Sequence, residues 1–177
     1  PHVLNIFSFS KAFGMMGWRV GFISFVDEQH AWSPGGEPWS LLAELLKVQD
    51  TIPICPTVLS QHVALGALEA GRGWVREKLE AVKQNQEVLR SILVEALGED
   101  AVKGGDGAIY LLCRLPEESR WGKDDRSFVQ ALAGLGVVVI PGSACGAPGY
   151  FRVSYANLEP GPCQRAAERL RSGLAAL

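Results

Sequence analysis

The stretch Trp74–Leu97 constrains the fold more than any other part of the chain. Val75, Leu79, Val82, Leu89, Leu93 and Ala96 recur at alternating spacings of three and four residues, and Gln86 fills the gap in the series. That spacing lays them along one face of an α-helix and leaves charged residues on the others, so the helix has to pack lengthwise against something. The run is well above the ~11–12 residues of an ordinary helix. A rod of this length reads as a connector between two bodies. Upstream, Thr57 stands where it caps a helix running to about Ala70, which Gly71 and Gly73 interrupt.

The two flanks differ. On the N-terminal side, Val3, Leu4, Ile6, Phe7 and Phe9 form a nearly continuous apolar run. It suits a strand buried on both faces, as in a parallel sheet. Trp18–Phe25 is a second strand candidate, Asp27–Trp39 reads as a Gly- and Pro-rich loop, and Leu41–Val48 as a helix ended by Pro53 and Pro56. On the C-terminal side, a turn at Gly104–Gly107 leads into a strand at Ala108–Leu115 and a helix at Ser127–Leu135. Val137–Ile140 is a short β-branched strand. Tyr150–Ala156 alternates, with Phe151, Val153 and Tyr155 on one face and Arg152 and Ser154 on the other. Pro162 opens a last helix whose apolar stripe is Cys163, Ala167, Leu170, Leu174 and Leu177. The fold class is therefore α/β. Residues 1–73 read as the end of a doubly wound domain, 74–97 as the joining helix and 98–177 as a small α/β domain.

Charge and cysteine usage narrow the function. The chain has 177 residues and a formal net charge of −2, with its 17 basic residues scattered among acids. Nucleic-acid binding needs a concentrated basic excess, so that class is set aside. No apolar run reaches membrane-spanning length, and no secretory leader is visible. The four cysteines form no CxxC and no ligand spacing with the three histidines, so no metal is expected. Their low density suits a reducing, cytoplasmic setting. Cys145 reads as a small core residue.

The chemistry concentrates in SFSKAFGMMGWRVGF, Ser8–Phe22. A lone lysine after a strand is ordinarily a surface charge. Here apolar residues flank Lys11, which places its ammonium near a dry region, and a desolvated lysine yields the neutral amine that attacks carbonyls. A tight turn at the glycines returns Arg19 to the same pocket, where its fork suits phosphate. Ser8 and Ser10 add hydroxyls, and Gly14, Gly17 and Gly21 permit close backbone approach. A lysine beside a phosphate cup matches a cofactor with an aldehyde and a phosphate, which is pyridoxal phosphate. The P-loop pattern GxxxxGK[ST] is absent.

These residues resemble the lysine signature of fold-type I, class I/II pyridoxal-phosphate-dependent aminotransferases, S-x-S-K-x-x-G-x-x-G-x-R-x-G. Ser8, Ser10, Lys11, Gly14, Gly17, Arg19 and Gly21 fill it without departure. The resemblance implies that Lys11 forms the Schiff base with the cofactor and shuttles the substrate Cα proton. It also implies that Ser8, Ser10 and Arg19 bind the phosphate. VVVIPGSACG followed by YFRVSYA is similar to the segment where a family arginine clamps the substrate carboxylate, which falls on Arg152. MMGWRVGF, LLKVQDTIPIC, GGDGAIYLLCRLP and VVVIPGSACGAPGY look most like the plant-type aromatic-amino-acid/methionine subgroup. The loop from His30 to Trp39 departs from it in length and composition.

The resemblance further implies transamination between an amino acid and a 2-oxo acid, in a homodimer when full length. In the family the signature stands in mid-chain, with further cofactor contacts upstream: an aspartate on the pyridine nitrogen, an asparagine and a tyrosine on the 3′-oxygen, and a stacking aromatic. The expectation is that this chain corresponds to a C-terminal half and is short of full activity by itself. An organelle transit peptide would belong to the upstream part. A C–S lyase with the same lysine and arginine, or a non-catalytic truncated subunit that binds full-length protomers, are the alternatives.

Overall fold

The computed structural model describes residues 3–26 and 40–175. The expected loop at 27–39, including the departing His30–Trp39 segment, and Leu177 lie outside the described residues. Packing divides the chain into two compact units, Pro1–Val75 and Arg76–Leu177.

The first unit opens with a strand, β1 (Leu4–Ser8), a one-turn helix, α1 (Phe9–Ala12), a 3-10 turn at Met16–Trp18 and a second strand, β2 (Gly21–Phe25). The expected buried, parallel strand is corrected here. The two strands pair antiparallel, from Leu4↔Phe25 to Ser8↔Gly21, and every residue of β1 is exposed within this chain. The reason lies in the connection. A parallel partner needs a crossover long enough to return along the whole strand, whereas residues 9–20 hold only one helical turn and a 3-10 turn. The chain therefore folds straight back on itself. Phe9, Met15 and Ala64 form the small buried centre.

Helix α2 (Leu41–Thr51) is capped by the Ser40 hydroxyl, which accepts from the Ala43 N–H. Helix α3 (Val58–Leu97) follows, and Thr57 caps it as expected, its Oγ1 accepting from the Ser60 N–H at 3.2 Å. Gly71 interrupts α3 with φ 73° and ψ −172°, a backbone that only glycine adopts at little cost.

The second unit contains the C-terminal part of α3, then β3 (Val102–Lys103), β4 (Tyr110–Arg114), α4 (Asp125–Gly134), β5 (Ile140–Pro141), β6 (Tyr150–Ser154) and α5 (Pro160–Leu174). The sheet order is β3-β4-β6-β5, antiparallel throughout. Leu111, Cys113, Phe151 and Val153 point from one sheet face into a core completed by Leu89 and Leu93 of α3, Phe128 and Leu132 of α4, and Ala167 and Leu170 of α5. The alternation read in YFRVSYA is present: Phe151, Val153 and Tyr155 are buried, while Arg152 and Ser154 are half-exposed.

Three details differ from the sequence reading. Val137 and Val139 pack into the core but stand outside the ladder, because β5 pairs only through Ile140↔Arg152 and Pro141↔Phe151. Helix α5 starts at Pro160, the earlier of two prolines able to occupy its first turn. Along Trp74–Leu97 the apolar stripe is unevenly used: Leu89 and Leu93 are buried, but Leu79 is exposed, since the second unit's core forms only around the last turns of α3. Among the described residues, no helix is long and apolar enough to cross a membrane.

Candidate active site

The signature residues lie on the connection between β1 and β2. Ser8 and Gly21 are cross-strand partners, so Ser10, Lys11 and Arg19 sit on one loop closed at its base by the hairpin. Ser8 caps α1: its Oγ accepts from the Ser10 N–H at 3.2 Å, which leaves the Ser8 hydroxyl proton for another acceptor. Two backbone bonds to the Phe9 carbonyl, from Phe13 and Met15, wind the chain tightly around α1. Gly14, at φ 64°, turns it toward the 3-10 segment. Arg19 then takes a left-handed conformation, φ 51° and ψ 47°, rare for a side chain of its size. One of its terminal amines donates to the Met16 carbonyl at 3.0 Å. Gly21 is required by the hairpin itself, because a Cβ there would collide with the Phe7 carbonyl oxygen.

Arg19 lines an open cleft of about 500 Å3 with Trp18, Cys55, Pro56, Thr57 and Ser60. Lys11 shares the loop with Arg19 but does not line this cleft, and it is exposed. The dry surroundings and the common pocket expected for Lys11 are thus not formed by the residues of the first unit.

The donor set fits the group that the sequence suggests. A primary amine, two hydroxyls and a guanidinium occupy one short loop, and residues 1–26 contain no aspartate or glutamate to compete for the cations. Among the described residues, neither Lys11 nor Arg19 forms an ion pair. A guanidinium and an ammonium with hydroxyls on the same loop suit a phosphate, and the amine suits an aldehyde.

Arg152 belongs to the second unit, at the middle of β6. It stands opposite Leu112 on β4 and Ile140 on β5, on the sheet face turned away from the core. Its guanidinium lies over the Tyr110 ring, 4.8 Å from the centroid. The sequence reading missed Tyr110. The signal was present in AIYLLCRL: with Leu111 and Cys113 facing inward, period-two alternation turns Tyr110 outward, onto the face that Arg152 occupies.

The cysteines divide by environment. Cys113 is fully buried, and burial pushes its thiol up to about 12, against a small opposing pull from Arg90. Burial also raises the Cys163 thiol. Cys145, expected in the core, is exposed, because it ends the 3-10 turn Gly142–Cys145 on the surface. That turn is held from below: the buried Asp125 carboxylate accepts from the Ser143 N–H at 2.5 Å.

Residues 1–170 match the family described as aminotransferase class I and II. The chain belongs to the class I and II aminotransferase family. An aromatic aminotransferase of Arabidopsis thaliana is 45% identical over 174 residues, covering 98% of this chain and 41% of that protein. An aspartate/prephenate aminotransferase of Thermus thermophilus is 30% identical over 161 residues, covering 89% and 37%. Among solved structures, an aminotransferase from Mycobacterium tuberculosis superposes with a TM-score of 0.76 at 25% identity, covering 98% of this chain and 42% of that one. The aspartate aminotransferase of Thermus thermophilus with maleate gives 0.73 at 27% identity, covering 97% and 41%. The fold is accordingly that of part of a fold-type I aminotransferase. The chain spans about two fifths of the length of the relatives it matches.

Proposed function

We propose that this chain is the lysine-bearing part of a pyridoxal-phosphate-dependent aminotransferase that moves an amino group between an aromatic amino acid, or methionine, and a 2-oxo acid. The observation that carries the proposal is the single loop between Ser8 and Gly21, which gathers an amine, two hydroxyls and a guanidinium in a stretch, residues 1–26, that contains no aspartate or glutamate. The 45% identity to a plant aromatic aminotransferase supports the substrate class.

Pyridoxal phosphate, when bound, supplies an electron-withdrawing ring that acidifies the substrate Cα–H bond. The residues divide the remaining work. Lys11 holds the aldehyde end through its Nζ and moves the proton at the substrate Cα. Ser8, Ser10 and Arg19 hold the phosphate end by charge-assisted hydrogen bonds. Arg152 takes the substrate carboxylate with two parallel N–H donors and so fixes the direction of the Cα–H bond. We place the full-length protein as a homodimer, a reading supported by the exposed apolar surface of the first unit, where Ile6 is 78% and Ile52 76% accessible.

The test is covalent capture. The purified chain is mixed with pyridoxal phosphate, reduced with borohydride and digested, and the modified peptide is mapped. Labelling confined to Lys11, and lost in Arg19→Ala, is the expected result. Labelling spread over many lysines would overturn the assignment of Lys11 and Arg19 to one cofactor site in this chain.

A further inference from the structure

We infer that Tyr110 is a positioning residue for Arg152, and that its ring face holds the guanidinium so that the edge carrying the N–H donors is left for a carboxylate. The inference rests on the reading of Arg152 as the substrate clamp.

Arginine is a long side chain, and holding it in one geometry costs rotamer entropy. A clamp that waits for its ligand therefore needs a support. An acidic partner is a poor one, because it would occupy the same N–H edge that the substrate carboxylate requires. Among the described residues Arg152 forms no ion pair. What it has is the Tyr110 ring at 4.8 Å. An aromatic face attracts the flat of the guanidinium and leaves its edge unused.

The sheet fixes this meeting. Tyr110 pairs with Ser154, and Leu112 pairs with Arg152, so Tyr110 and Arg152 are diagonal neighbours on one face. Diagonal pairs lie within reach of aromatic and long side chains. The β4–β6 end is secured locally. Ser154 Oγ bonds with the Asn157 side chain at 3.0 Å, and the Tyr155 hydroxyl donates to the Ala108 carbonyl at 3.1 Å. The support comes from the ring of Tyr110, not from its hydroxyl.

The experiment follows the Arg152 Nε–H by 15N relaxation in the purified chain and titrates 3-phenylpropionate, with neutral 3-phenylpropanol as control. Three variants are compared: Tyr110→Phe, Tyr110→Leu and Arg152→Leu. Tyr110→Phe is expected to retain both the order of the Nε–H and the affinity for the acid. Tyr110→Leu is expected to lower that order and to weaken the acid about two- to fivefold, the size of an exposed cation–π contact, with the alcohol unchanged. A merely structural loss would weaken acid and alcohol alike and would not be rescued by phenylalanine. If Arg152→Leu abolishes acid binding while Tyr110→Leu changes neither order nor affinity, Tyr110 has no positioning role and the clamp stands. If Arg152→Leu leaves acid binding unchanged, or the unsubstituted chain does not bind the acid, the clamp reading falls and the role of Tyr110 falls with it.

Discussion

The two units spend their apolar residues differently. In the second, every long element contributes to one core, and Leu93, Leu111, Phe128, Leu132, Phe151 and Leu170 are at most 1% accessible. In the first, the buried centre is Phe9, Met15 and Ala64, while Ile6, Val58, Leu59 and Ile54 stand 64–78% accessible. Surfaces of that kind mark sites of contact. The difference bears on the proposed site. The unit that carries Arg152 is internally packed, so the setting of that side chain is fixed by its own sheet. The unit that carries Lys11 and Arg19 places an amine, hydroxyls and a guanidinium on one loop, with little packing of its own behind them.

The sharpest way to break this comparison is a matched pair of truncations. Phe151→Ala removes a side chain with no accessible surface, its ring tilted against Phe128 with centroids 4.9 Å apart, and is expected to cost about 3–5 kcal/mol. Phe7→Ala removes one that is 49% exposed, and its cost is expected to stay below about 1 kcal/mol. Chemical denaturation followed by near-UV circular dichroism separates the two. Similar losses would show that the first unit is packed as tightly as the second.

A smaller effect is expected at Asn85, which is 3% accessible and ties α3 to the segment after β6. Its amide donates to the Tyr155 carbonyl at 3.1 Å and the Leu158 carbonyl at 2.7 Å. Asn85→Ala strands both acceptors, at a cost of about 1–3 kcal/mol. Asn85→Asp removes the donors at nearly constant volume and is expected to be at least as damaging. A neutral result for both would mean that water replaces the amide.

How much of this was legible in the sequence follows from what each signal depends on. That Ser8, Lys11, Arg19 and Gly21 stand on one short connection was readable because they lie close together in the chain. Thr57 and Gly71 were readable because caps and breaks are local events. The inward set Phe151, Val153 and Tyr155 was readable from alternation. The orientation of β1 was not, because an apolar run says that a strand is covered but not by what, and antiparallel pairing was decided by the short connection to β2. Tyr110 and Asn85 were missed for a related reason. Each owes its role to a partner on a different strand or loop, and a register is needed before either contact can be seen.

The core thiol gives the second unit a dependence on pH. Burial raises the Cys113 pKa from 9.0 to about 12, so the fold binds this proton more tightly than the unfolded chain does. The stabilisation is complete below about pH 9 and is lost as pH rises from there toward about 12, by about 1.4 kcal/mol per pH unit. Melting of the unsubstituted chain is therefore expected to fall along an alkaline limb that Cys113→Ala flattens, from a lower starting point because of the cavity. The limb does not vanish in the variant, since the Cys163 thiol is raised as well. Parallel limbs in the two proteins would remove Cys113 as its source.

The smallest effect on stability is expected at Ile6, and it tests the other side of the comparison. With 78% of its surface accessible, Ile6 has little burial to lose, so Ile6→Ser should shift the unfolding free energy by no more than about 0.5 kcal/mol. Its side chain nevertheless stands on a strand exposed from Leu4 to Ser8, beside Phe7 stacked on Phe22 at 4.7 Å. If that surface is made for contact, the substitution should reduce concentration-dependent association in sedimentation velocity while the melting curve stays in place. Lower stability with unchanged association would instead mean that Ile6 supports its own unit, and that the division between a packed unit and one awaiting cover is drawn in the wrong place.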